Sequence, residues 1–194
     1  MNKLKIWFRK NWSTALLFSI FIVLLVSPDA KAWLMRQIVS TGLLNSRIEK
    51  KKTEGVIENF SVRNDKGERI NTSELNGKVV FINFWASWCP PCRAEFPSIQ
   101  TFYNQYKSNK DLVFLIVNLD DEAAAGKMYL EKEQFSVPFL VPEGSIPNVF
   151  FNGSLPTTVV LDKSGKIRMH HTGMADYSKN SFYEEINQLL IESQ

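Results

Sequence analysis

"FWASWCPPCRAEFP", residues 84–97, contains the only two cysteines of the chain, Cys89 and Cys92, three positions apart. Two tryptophans, Trp85 and Trp88, lead into the pair, and a polar, helix-compatible run follows it. On spacing alone the pair is a redox dithiol, half of a metal site or a small structural disulfide. The sequence on either side has to decide.

Immediately upstream, "KVVFINFWA" (78–86) is a near-continuous apolar run, the pattern of a strand buried on both faces. Downstream, residues 90–108 read as a helix, with Pro90 in its first turn and apolar or aromatic residues at 96, 99, 102, 103 and 106. The pair therefore sits where a buried strand meets a helix. Cys89 falls at or just before the first helical turn, where free N–H groups and the helix dipole favour negative charge. A thiolate is stabilised at such a place and is the reactive form. Cys92 lies about one turn further on, close enough to close a disulfide but turned into the helix. Cys89 then exchanges with a partner's disulfide through a mixed disulfide, and Cys92 resolves it. Pro90 and Pro91 offer no N–H and stiffen the loop.

Further out, "NFSVRNDKGERIN" (59–71) reads as a hairpin around Asn64-Asp65-Lys66-Gly67. "DLVFLIVNLD" (111–120) is a second buried strand, and "EAAAGKMYLEKEQ" (122–134) is helical. "VPFLVPEG" (137–144) is a short strand edged by prolines. "LPTTVVLDKSGKIRMHHTG" (155–173) is a hairpin turning at 162–165. "SKNSFYEEINQLLIES" (178–193) is a closing helix with Phe182, Ile186, Leu189 and Leu190 on one face. This order predicts an α/β sheet covered on both faces, with strands 78–86 and 111–120 parallel across the first helix.

The chain opens with a basic patch and an uncharged, mostly apolar run from Asn11 to Val26, ended by Pro28 and Asp29. The run has 16 residues, just short of the ~17–25 that span a bilayer. Two readings fit. A retained membrane anchor, the preferred one, is helical from about Ile6, with Trp7 and Trp12 at the interface; a signal peptide is cleaved near Ala32, after Ala30-Lys31-Ala32. Either way the basic end stays in the cytoplasm and the remainder is exported. Residues 33–48 read as a short amphipathic helix lying against the membrane, and Lys50–Lys52 with Gly55 as the end of a tether. The expected organisation is 1–32 leader and anchor or signal, 33–54 amphipathic linker, and 55–194 globular domain. The charge distribution agrees: residues 1–48 carry seven of the 23 Lys/Arg and one of the 20 acids, so the remainder is net −3. A mildly acidic domain argues against nucleic acid as a partner.

With these elements placed, the sequence resembles the thioredoxin superfamily and, within it, the membrane-tethered thiol-disulfide oxidoreductases of the TlpA/ResA type, whose domain is of the redoxin kind. The likeness covers roughly residues 55–194 and is carried by "FWASWCPPC", Pro97, "VNLDD" and "LPTTVVLDKSGKI". It implies a thioredoxin-like fold, a central mixed sheet flanked by helices on both faces, preceded by an N-terminal hydrophobic helix. It implies catalysis by Cys89 and Cys92. It also implies that Glu95, three positions after Cys92, is a partly buried carboxyl exchanging a proton with the Cys92 thiol. Pro156 becomes the cis-proline facing the dithiol. Trp88, Pro90, Pro91, Leu155 and Pro156 become the surface that meets substrate. No cofactor and no metal are implied. The partners are disulfides of client proteins, for example in apocytochrome c maturation, an upstream membrane thiol-disulfide electron donor, and the membrane through residues 11–26.

Rival readings remain at this level. A copper-handling protein on the same fold would use the thiols as ligands, but His170 and His171, adjacent on a strand, face opposite ways, and no His or Met is placed to complete a site. A peroxidase would need a lone peroxidatic cysteine behind a threonine in the active loop, and none precedes Cys89 there. The segment Val137–Gly153 is either a loop that contacts partners or core packing.

Overall fold

The structure, a computed structural model, describes residues 11–40 and 58–192. The basic patch, Trp7, the helix start near Ile6, residues 41–57 with Lys50–Lys52 and Gly55, and the proposed boundary at 54/55 lie outside the described residues.

Helix α1 (Trp12–Val26) is followed by α2 (Pro28–Ser40). Strands β1 (Ser61–Asn64) and β2 (Arg69–Asn71) form the expected hairpin, and a single 3₁₀ turn, Thr72–Leu75, follows. The central elements are β3 (Val79–Trp85), α3 (Pro90–Tyr106), β4 (Leu112–Asn118), α4 (Ala123–Lys132) and β5 (Leu140–Glu143). The hairpin β6 (Thr157–Leu161) and β7 (Ile167–Thr172) and helix α5 (Asn180–Ile191) close the chain. Together the strands form one seven-stranded sheet, ordered β2-β1-β5-β4-β3-β6-β7. The β3–β4 and β4–β5 pairs are parallel and the others antiparallel.

Every residue of β3 is buried, as the unbroken apolar run predicts. Alternation along it feeds two cores. Val79, Phe81 and Trp85 join one, with Phe96, Ile99 and Phe102 of α3, Tyr129 and Leu130 of α4, and Phe182, Ile186 and Leu189 of α5. Aromatic rings interlock here: Phe81 meets Phe102, Tyr177 and Phe182 edge-on at 5.2, 5.3 and 6.1 Å between centroids. Val80, Ile82 and Phe84 join the second core, with Phe60, Val117, Phe150 and Val159. Both faces are thus covered, though unequally. The sheet advances β3→β4→β5 in one direction, so two right-handed crossovers put α3 and α4 on the same side. The second core is closed by Leu75 of the 3₁₀ turn and by Ile146, Val149 and Phe151. Those last residues make the Val137–Gly153 segment core packing.

At the N-terminus, Pro28 and Asp29 do end the first helix, and they also begin the second. Ser27 is extended, and its hydroxyl accepts from the Ala30 N–H at 3.3 Å. Pro28 and Asp29 then occupy the first turn, where proline and an acid are favoured. The amphipathic helix consequently starts at 28 rather than 33. It packs against α3 and buries Ala32, while Trp33, Leu34 and Met35 stay exposed. Among the described residues no single helix is long and apolar enough to cross a membrane; α1 and α2 reach that composition only as a pair bent by 95°.

One close contact ties α4 to the sheet. A Cβ on Gly126 would lie 2.6 Å from Cγ of Asn118 at the end of β4. The Asn118 side chain is itself held, donating to Asp120 at 2.8 Å. Gly126→Ala is expected to lower stability by about 1–3 kcal/mol, measured by urea denaturation of the oxidised protein.

Candidate active site

Strand β3 ends at Trp85, and four residues later Cys89 caps α3. A fixed loop bridges them. Leu119 N–H donates to the Trp85 carbonyl at 2.8 Å. The carboxylate of Asp120 accepts from the Ser87 N–H at 3.0 Å and from the Ser87 hydroxyl at 3.1 Å. The "VNLDD" run at the end of β4 thereby holds the turn that presents the cysteines, a role for Asp120 and Ser87 that nothing local in the sequence marks.

Cys89 and Cys92 are joined by a disulfide with a Cα–Cα distance of 5.3 Å. Pro90 and Pro91 occupy the first turn of α3, and the Cys92 N–H donates to Cys89 Sγ at 3.2 Å. Cys92 is fully buried and Cys89 only 3% exposed, whereas Trp88 beside them is 62% exposed. The Leu155–Pro156 peptide is cis. Thr157 pairs with Phe84, so β6 begins at the same end of the sheet where β3 stops and the dithiol loop starts. Leu155 packs at the margin of both cores.

Glu95 lies one turn below Cys92 and is 2% exposed. Its Oε1 accepts from Asn83 Nδ2 at 2.8 Å and its Oε2 from the Ala175 N–H at 3.3 Å. Asn83 Nδ2 also donates to Thr158 Oγ1 at 2.9 Å, and Tyr177 donates its hydroxyl to the same oxygen at 2.6 Å. Ser98 links helix and loop, donating to the Glu95 carbonyl at 2.7 Å and accepting from the Tyr177 N–H at 3.2 Å. Burial pushes the Glu95 carboxyl from an ordinary 4.5 up to about 8, against the opposing pull of the Asn83 and Ala175 hydrogen bonds. Burial also raises the Tyr177 hydroxyl well above its usual value, with the Glu95 charge adding to the effect.

Of the residues expected at the site, Cys89, Cys92, Glu95, Pro90 and Pro91 share the first two turns of α3, and Trp88, Leu155 and Pro156 share its end of the sheet. Asn83, Thr158 and Tyr177 are additions. Asn83 carried a signal: a lone polar side chain inside a fully buried strand requires a buried partner. Arg93 is a further addition. Its side chain is 10% exposed, forms an ion pair with Asp29 of α2 and stacks over the Tyr129 ring at 4.6 Å. Asp29 also meets Lys132 at 3.4 Å. Among the described residues no group of three or more His, Cys, Asp or Glu is arranged to hold a metal. His171 is buried and His170 half-buried, on opposite faces of β7.

The family model Redoxin matches residues 52–186. The chain is 31% identical over 130 residues to the thiol-disulfide oxidoreductase ResA of Halalkalibacterium halodurans, covering 66% of this chain and 73% of that protein. It is 31% identical over 116 residues to ResA of Bacillus subtilis, covering 59% and 64%. Among solved structures, the exposed lipoprotein thioredoxin Etrx1 of Streptococcus pneumoniae superposes with a TM-score of 0.56 at 25% identity, covering 68% of this chain and 99% of that one. A thioredoxin-family thiol:disulfide interchange protein of Chlorobium tepidum shares the fold, with a TM-score of 0.55 at 23% identity over 75% and 99%.

A raised carboxyl has a definite effect on stability. Below about pH 4.5 Glu95 is protonated in both the folded and the unfolded chain, and its contribution is complete. Between about pH 4.5 and 8 the unfolded chain releases the proton and the folded one keeps it, so stability falls as pH rises. Urea denaturation of the oxidised protein across this window is expected to show a loss of a few kcal/mol that Glu95→Gln largely removes. Equal pH dependence in both proteins would mean that the folded chain does not hold this proton.

Proposed function

The chain belongs to the Redoxin family and, within it, to the TlpA/ResA-like thiol-disulfide oxidoreductases, and we propose that it works outside the cytoplasm, held by its N-terminal segment, as a reductant of disulfides in client proteins. The observation that carries this reading is the Cys89–Cys92 disulfide at the head of α3 with a buried, proton-holding Glu95 one turn beneath it.

In the reductive direction the reduced Cys89 thiolate attacks a client disulfide. One client sulfur leaves as a thiolate and takes up a proton, and Cys89 is joined to the other. Glu95, in its ionised form, which is the minor one below about pH 8, accepts the proton of the Cys92 thiol. The Cys92 thiolate then attacks Cys89 Sγ, the mixed disulfide breaks, the second client sulfur leaves, and the Cys89–Cys92 disulfide forms. Two electrons pass from the protein to the client. Each new turnover needs a dithiol donor, which we assign to a membrane thiol-disulfide protein. Unpaired N–H groups at the head of α3 favour the Cys89 thiolate. Exposed Trp88, the rigid Pro90-Pro91 turn and the Leu155-Pro156 backbone form the surface against which an extended client segment lies. Apocytochromes c, which present a cysteine pair, are clients of the right chemistry.

Export and tethering are supported by the basic start and by the uncharged, exposed surface of α1. The Streptococcus pneumoniae relative in fold is itself an exposed lipoprotein.

Two measurements test the reading. The reduction potential of the Cys89–Cys92 pair, from thiol-buffer equilibration and alkylation mass, is expected below roughly −230 mV; a value near about −120 mV would make the protein an oxidant. After an alkaline carbonate wash the full chain is expected to stay with the membrane fraction, whereas a soluble, shortened chain beginning after Ala32 would replace the anchor with a cleaved signal.

A further inference from the structure

The hydrogen bonds around Glu95 suit only one of its two protonation states. Oε1 faces the Asn83 Nδ2 donor and Oε2 faces the Ala175 N–H donor. That is what a carboxylate needs. Yet burial keeps the group protonated to about pH 8, and an acid O–H is a donor that needs an acceptor. None of its hydrogen-bond partners is one. Asn83 carries the missing group, since its Oδ1 is buried and accepts from nothing. The oxygen and nitrogen of a side-chain amide are nearly the same size, so half a turn about the terminal torsion exchanges them with little change of shape. After that turn Oδ1 faces both Glu95 Oε1 and Thr158 Oγ1. It accepts the acid proton from one and the hydroxyl proton from the other, while Thr158 still accepts from Tyr177.

We propose that Asn83 is a positioning residue whose side-chain amide reverses each time Glu95 takes up or releases a proton, giving the carboxyl a matched partner in both states. The inference rests on Glu95 being the proton partner of Cys92. In that step the S–H bond of Cys92 breaks, an O–H bond forms on Glu95, no electron is transferred, and the amide turns from donor to acceptor. The return of the proton turns it back. A fixed donor at this place would oppose proton uptake by Glu95, and a fixed acceptor would oppose release. A reversible amide matches the carboxyl in both states, its cost being that Nδ2 gives up its two acceptors while Glu95 is protonated. The other titratable groups facing this pocket are Tyr177 from the 173–179 loop, His171 from β7, which pairs with Thr158, and Cys92 on the helix of Glu95 itself. β3 and β6 contribute only Asn83 and Thr158.

The test is NMR of the full chain, reduced, in detergent, with ¹³C-labelled Glu carboxyls and ¹⁵N-labelled Asn. Above the Glu95 midpoint the Asn83 Nδ2 protons are expected to show NOEs to Thr158 and to the Glu95 side chain. Below it those NOEs should fall at least about fivefold, with the same midpoint as the Glu95 carboxyl. In Glu95→Gln the pattern should not change with pH. NOEs that persist through the Glu95 titration overturn the proposal. So does a switch that survives in Glu95→Gln, since a group other than Glu95 would then drive it. The pH profile of Cys92 alkylation is a separate readout. If Glu95→Gln leaves that profile unchanged while the amide still follows the carboxyl, the catalytic role of Glu95 fails and the reversal stands.

Discussion

A single polar side chain in the middle of a buried strand imposes a condition on everything around it. β3 is apolar at every position except Asn83 and is wholly buried. An amide sealed into such a strand costs roughly 1–3 kcal/mol for each donor or acceptor left unmatched. Its partners therefore come from separate parts of the chain: Glu95 from α3, and Thr158 from β6. Tyr177 and Ala175, from the loop after β7, complete the cluster. These contacts fix how α3 lies on the sheet, and α3 carries both cysteines. Packing of Phe81, Phe96, Phe102 and Phe182 provides the bulk of the core, but that packing is non-directional. The polar cluster defines one orientation of the helix, and so where the dithiol and Glu95 sit.

The same cluster explains the behaviour of the Glu95 carboxyl. Asp120, also close to the dithiol loop, accepts hydrogen bonds from the Ser87 N–H and hydroxyl. Glu95 has no access to water and keeps its proton into the range where thiols ionise.

Much of this was legible in the sequence because it rests on periodicity and local signals. The unbroken run 78–86 announces a buried strand, Pro90 a helix start, and the Asn64–Gly67 and 162–165 turns their hairpins. The cysteine pair and Glu95 fall on one helix at fixed spacing, so their grouping followed from α3 alone. What was not legible depends on the tertiary path. Thr158 and Tyr177 lie 75 and 94 positions from Asn83, and nothing local marks them as its neighbours. The unequal cover of the two sheet faces follows from strand order, and a string of predicted strands does not contain that order. The start of α2 differs from the expected 33 because Pro28 and Asp29, which end the apolar run, are together with Ser27 also a favoured helix beginning.

Asp29 adds a consequence of a different kind. It stands before the Ala30-Lys31-Ala32 site, yet its carboxylate faces the guanidinium of Arg93, the residue that follows Cys92. A protease that cut after Ala32 would remove more than a leader. It would take the Asp29 carboxylate away from Arg93, in the turn of helix that carries Cys92. The N-terminal segment and the helix that carries the cysteine pair are thus joined by an ion pair, and a chain cut after Ala32 would keep Arg93 but lose Asp29.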